Sequence, residues 1–183
     1  MHPDTPTAPD FNDPIGLLRA CHGRVEHFAD LARRLADHEL DTPPVEPVRQ
    51  AAGKVLRYFE HAAPLHHADE EVDLLPRLRR HLDPQPDREL VTLLGNLEGE
   101  HGELQTRWIA LRPLLEALEQ GHPVDPKAYR EAVRAFHAAQ TAHLNRENRH
   151  LLPAAEARLT AAELAALGTA MAQRRGVGQN KAN

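Results

Sequence analysis

Two stretches of the chain place a histidine four residues before a glutamate: His66 with Glu70, and His143 with Glu147. In a helix that spacing sets an imidazole and a carboxylate on one face, one turn apart. Both copies run to the same Leu-Leu-Pro, Leu74-Leu75-Pro76 and Leu151-Leu152-Pro153. Sliding residues 57–82 over 134–159, an offset of 77, matches nine of 26 positions. Shared packing accounts for the phenylalanine, leucines and prolines among them, but it does not require the polar pair. A fainter echo at an offset of 79 relates His22-Gly23-Arg24-Val25 to His101-Gly102-Glu103-Leu104. The chain therefore reads as two helical hairpins, each giving a histidine from its first helix and His-x-x-x-Glu from its second. Neutral imidazoles with carboxylates suit iron, manganese or zinc, and the absence of sulfur from the pattern argues against a structural thiolate zinc site. If the two glutamates bridge two ions, the four histidines and two carboxylates fill eight of twelve positions. About four then stay open for water, hydroxide or a diatomic ligand.

The elements that must position these groups are helices. Among 183 residues, 28 are alanine and 26 leucine, with 4% aromatics, a composition of helix formers that predicts an all-α fold. Asp13-Pro14 and Asp125-Pro126 are helix starts, an N-cap followed by a proline whose missing N–H costs nothing there. Apolar periodicity and the breaks at Pro43-Pro44, Asp83-Pro84 and Gly121 predict helices over about 14–39, 46–81, 88–120 and 126–158. Pro64 and Pro76 are expected to interrupt the second, and Pro113 and Pro153 to bend the third and fourth. Thr160-Ala161-Ala162-Glu163 is a capping box, opening a short fifth helix over about 160–175. The expected architecture is an up-down-up-down four-helix bundle with a short extra C-terminal helix. Residues 1–12 are read as a disordered N-terminal segment, 13–159 as the bundle, and 160–183 as the short helix and a flexible tail containing Arg174-Arg175. A net charge of −5 argues against a nucleic-acid partner. The lone Cys21, the lack of an apolar leader and the absence of a long apolar run predict a cytoplasmic protein with no membrane partner.

With these motifs in place, the chain resembles the hemerythrin-like, HHE cation-binding family. The resemblance is carried by Asp13-Pro14-Ile15 and His22, by His66-His67-Ala68-Asp69-Glu70-Glu71 running to Leu74-Leu75-Pro76, by Glu100-His101, and by His143 to Glu147 running to Leu151-Leu152-Pro153. It covers about residues 13–159. It implies a bundle holding a non-haem, carboxylate-bridged di-iron centre, with zinc as a substitute metal and His22, His66, Glu70, His101, His143 and Glu147 as ligands. Two departures stand out. Oxygen carriers of the family have two histidines four apart on the third helix, where this chain has Gln105 after His101. They also end in His-x-x-x-x-Asp, where this chain has the shorter spacing to Glu147. An oxygen-richer, more open iron site is implied, which points away from simple O₂ transport. The expected ligand is a small diatomic or peroxide: O₂, NO or peroxide, in sensing, iron and oxygen handling or detoxification. The alternative is a non-catalytic bundle stapled by a structural metal. No residue has the marks of a nucleophile or general base outside the metal site.

Neighbouring residues carry several readings. His67 and Glu71 stand about 100° round the helix from His66 and Glu70, as further ligands, outer partners or exposed groups. Glu26, four residues after His22, and His150, seven after His143, are further candidates for the metal face. Trp108 reads as a core aromatic and Cys21 as a buried inert thiol. His2, His27, His38, His61, His81, His122 and His137 read as surface. A ferritin-like arrangement would use Glu98-x-x-His101 and Glu147-x-x-His150, but these fall on the third and fourth helices rather than the second and fourth.

Overall fold

Asp13 and Asp125 cap their helices as their sequence context demands. Asp13 Oδ1 accepts from the Gly16 N–H at 2.9 Å, and Asp125 Oδ1 from that of Lys127 at 2.9 Å, each with proline next in the chain. The structure is a computed structural model describing residues 10–177. Among these it has five helical rods and no strand: α1 (Pro14–Leu35), α2 (46–79), α3 (Arg88–Glu119), α4 (126–158) and α5 (Ala161–Arg174). Each of α1 to α4 packs on its sequence neighbour, and α4 closes the ring against α1, giving the four-helix bundle. The α3 helix ends at Gly121, whose φ of 87° is the left-handed conformation that glycine adopts without strain. The His122 N–H then reaches the Ala117 carbonyl and that of Gly121 the Leu118 carbonyl, satisfying the last turn. The capping box at Thr160 and Glu163 forms and opens α5.

The first helix stops at Leu35 rather than near 39. Bonds from Ala36, Asp37 and His38 back to the third preceding carbonyl tighten its end. The chain then turns to bury Leu40, whose carbonyl accepts from the Val124 N–H across the bundle end at 2.7 Å. The prolines also act differently from expectation. Pro64 and Pro76, expected to interrupt the second helix, do not break its rod, and the fourth rod is likewise continuous at Pro153. Stretches of π-helix, Tyr58–Ala62, Asp69–Leu74 and Glu147–Leu151, each end two residues upstream of one of them. A proline cannot donate to the fourth preceding carbonyl and its ring crowds that carbonyl. Widening the turn before it relieves both problems and keeps the rod continuous. Pro113, by contrast, sits within α3, which is α-helical throughout.

Two apolar clusters fill the bundle, one toward each end. The first contains Val25, Leu40, Phe59, Trp108, Tyr129 and Phe136. The second is aliphatic and includes Leu18, Leu74, Leu97, Leu151, Leu167 and Met171. The central residues lie where the two clusters meet: His22 falls between Leu18 and Val25, His101 between Leu97 and Trp108, and on α4 His143 adjoins Leu144 of the first cluster while Glu147 falls between Leu144 and Leu151 of the second. The α5 helix covers the aliphatic end. Its Gly168 lies against the Phe11 carbonyl, where a Cβ would collide. Of the segment expected to be disordered, residues 1–9 lie outside the described residues, while 11 and 12 form a turn. Of the expected tail, 178–183 lie outside them. Arg174 and Arg175 are not in a tail: they finish α5 and grip α2. Among the described residues no helix is long and apolar enough to cross a membrane.

Candidate metal centre

The six residues His22, His66, Glu70, His101, His143 and Glu147 meet at the centre of the bundle, and all are buried. The i,i+4 spacing places each glutamate a turn below its histidine, and the antiparallel packing brings the two copies face to face. Each carboxylate then divides its oxygens. Glu70 sends Oε1 toward His22 Nε2 (3.4 Å) and His66 Nε2 (3.7 Å), and Oε2 toward His101 Nε2 (3.6 Å). Glu147 sends Oε2 toward His22 Nε2 (3.4 Å), and Oε1 toward His143 Nε2 (3.0 Å) and His101 Nε2 (3.8 Å). Two four-donor groups result, His22–His66–Glu70–Glu147 and His101–His143–Glu70–Glu147, sharing both glutamates. The ring pairs have matching geometry: His22 and His66 are 4.9 Å apart at 72°, His101 and His143 4.7 Å at 70°.

Outer partners fix which nitrogen faces inward. His22 Nδ1 donates to Asn148 Oδ1 (2.7 Å), His101 Nδ1 to Glu71 Oε1 (2.6 Å) and His143 Nδ1 to Glu100 Oε2 (2.9 Å). With the proton on Nδ1, each Nε2 presents a lone pair to the centre, the arrangement a metal-ligating histidine uses. Two such lone pairs, on His101 and His143, stand 3.0 Å apart.

The donors fit a cation and fit little else. Both nitrogens of His66, Glu70 Oε2 and both oxygens of Glu147 are buried without a hydrogen-bond partner. An unpaired buried carboxylate costs several kcal/mol. Donors in adjacent positions around an ion with bonds of about 2.1 Å stand about 3 Å apart, close to the contacts found here. Burial pushes the His22 imidazole down, and pushes His66 well down with His22's help, so both are neutral and able to ligate. Burial and the charge of Glu147 push the Glu70 carboxyl well up. Burial also raises Glu147, but His101 and His143 beside it hold it well below the usual range. Without an ion, one carboxyl of the pair takes up a proton; a pair of cations makes that unnecessary.

His67 is half-buried and joins the group: its ring stacks on His101 at 4.2 Å and 14°, and it shares a three-histidine cluster with His101 and His143. Burial and His101 push its pKa down to about 3. Glu26 and His150, the other two candidates, are exposed and not brought in. Seven residues should return His150 to the face of His143 in an α-helix, but His150 lies inside the π-helical stretch Glu147–Leu151, whose wider turn carries it off that face. The ferritin-like set fails for the same reason, and because Glu98 faces outward to Arg79 (2.7 Å). Trp108 is a core aromatic, 5.1 Å from Phe59, and Cys21 is buried.

Sequence reasoning missed Asn148 and the role of Glu100; of the three readings open for Glu71, the structure favours the outer partner. The 77-residue offset aligns Glu71 with Asn148, a signal that could have paired them. It also missed the grip on α2 beside the site: Asp69, fully buried next to Glu70, is held by Arg174 and by Arg175 (2.6 Å), and Asp73 by Arg77 (2.7 Å) and Arg174. A cavity of about 360 Å³, lined by Phe59, His67, His101, Trp108, Phe136 and Gln140 among others, reaches the centre on its His101 side.

The hemerythrin HHE cation binding domain matches residues 13–155. A protein of Haemophilus influenzae, described as uncharacterized, is 34% identical over 128 residues, covering 69% of this chain and 72% of its own length.

Proposed function

The chain belongs to the hemerythrin HHE cation-binding family, and from that we propose that its central donors hold two iron ions bridged by Glu70 and Glu147, at which O₂, peroxide or NO binds or reacts. The role would be sensing, iron and oxygen handling or detoxification. The observation that carries this is the division of each glutamate's oxygens between the two histidine pairs, which makes two metal positions with shared carboxylates. His22 and His66 would hold one ion, His101 and His143 the other. Six protein donors leave open positions, where bound iron supplies one-electron chemistry toward a small ligand.

The chain's own contribution is arrangement. Asn148, Glu71 and Glu100 orient the imidazoles, the apolar clusters exclude bulk water, and the cavity admits a small molecule to the His101 side. A purely structural staple needs no such opening, which favours the reactive reading over the metal-stapled module.

Metal analysis after anaerobic purification tests it. Two irons per chain are expected, with near-ultraviolet and visible absorption that changes on exposure to air, peroxide or NO. Well under two transition-metal ions per chain, unaltered by His66→Ala with His143→Ala, would overturn it. Two zinc ions with no spectral response would favour the staple.

A further inference from the structure

We propose that His67 is a third nitrogen donor for the ion held by His101 and His143, so that the two metal positions are unequal. This rests on the two-ion reading above and goes beyond it. The first observation is proximity. One donor atom from each of His67, His101 and His143 lies within 4.8 Å of the others, whereas the group around His22 and His66 contains those two histidines alone. A second is how the ring is placed. It is held face to face with His101, 4.2 Å away, and it lines the cavity that reaches the His101 side, so it has space to turn its edge toward an ion there. A third is what stands on α3. One turn after His101 the chain carries Gln105, also on the cavity wall, whose amide is a far weaker donor to a transition metal than an imidazole. The nitrogen that α3 does not provide at this position is available from α2. On α4, the repeat counterpart of His67 is Leu144, so the duplication gives the other position no equivalent.

The test uses the full chain, freed of metal and titrated anaerobically with Co²⁺, followed by calorimetry and by visible absorption, which responds to donor number and type. His67→Phe keeps a flat ring against His101 and removes the nitrogen, and His66→Ala marks the opposite position. Wild type should take up two ions in two resolved steps. His67→Phe should weaken one step by about tenfold or more and change that step's spectrum, with the other step unmoved; His66→Ala should weaken the other step. Circular dichroism and melting of the metal-free variants check that they fold alike, and His67→Ala repeats the measurement if the phenylalanine disturbs the core. Wild-type affinities and spectra in both His67 variants would overturn the proposal while leaving the two-ion reading intact. Equal weakening of both steps would also overturn it, as a structural effect. Failure of wild type to take up two ions would overturn the two-ion reading itself.

Discussion

The His22–His66 position and the His101–His143 position draw the same donor types from the same helical repeat, yet what stands behind those donors differs. His101 leans on the Glu71 carboxylate and His143 on that of Glu100, itself tied to Arg146 (2.8 Å). His22 leans on the neutral amide of Asn148, and neither nitrogen of His66 has a partner. A carboxylate behind an imidazole makes it more electron-rich and fixes its ring, which strengthens the metal bond. Duplication has thus kept the inner donors and the contact from the residue after each glutamate, while changing that residue's charge. The lesson is that an inner set of donors does not define a metal position. The His101–His143 side should bind its ion more tightly; the cavity of about 360 Å³ reaches that side, and a smaller one of about 240 Å³ reaches His22.

The largest expected effect comes from erasing both positions together. Because Glu147 serves each, Glu147→Ala should lose both ions, while His66→Ala should retain one; metal content after anaerobic purification distinguishes them. In the wild type, stripping metal should lower the melting temperature by roughly 10 °C, on the scale of about 4 kcal/mol of bound-ion stabilisation. Next is the grip of α5 on Asp69. Replacing Arg174 and Arg175 together with alanine leaves a fully buried carboxylate without those partners, and denaturant unfolding should show a loss of about 3–5 kcal/mol. Since Asp69 neighbours the shared Glu70, both metal affinities should fall in parallel; a fall at one position only would contradict that coupling.

A smaller effect tests the comparison directly. Glu71→Gln makes the backing of His101 resemble that of His22, and should weaken one metal step by about tenfold, narrowing the gap between the two. Asn148→Asp should narrow it from the other side by strengthening the weaker step. The smallest effect lies away from both positions. The Thr160 backbone and His81 hold the Glu163 carboxyl down to about 2 from an ordinary 4.5. A depressed carboxylate contributes stability that is complete above its ordinary value and is lost as the pH falls toward 2. Glu163→Gln should therefore melt below wild type at pH 7, with the difference closing in acid and both metal affinities unchanged.

The helix order and the meeting of the six central residues were legible because they rest on signals that survive in one dimension. Aspartate-proline starts, apolar periodicity and a polar pair repeated at fixed distance from a proline are all local. The helix ends at Leu35 and Arg79 were less so, since the burial of Leu40 draws the chain off the first rod. His150 and the π-helical stretches were not legible. The prolines that cause them were visible, but whether a rod breaks or widens there depends on packing against the neighbouring rods. The α5 clamp has no periodic signature at all: Asp69 and Arg174 stand 105 residues apart and are joined only once the bundle closes.

The donor layer lies where the two apolar clusters part, and two of the π-helical stretches carry its glutamates, Glu70 and Glu147, while Tyr58–Ala62 lies in the first cluster. Without ions, that layer would act as a seam of repelling lone pairs and wide, imperfect backbone turns between two self-sufficient oily halves. Helices ordinarily fray from their tips. Here, amide hydrogen exchange in the metal-free chain should be fastest near the waist of α2 and α4 and slower on either side, with protection at the waist returning as metal is added.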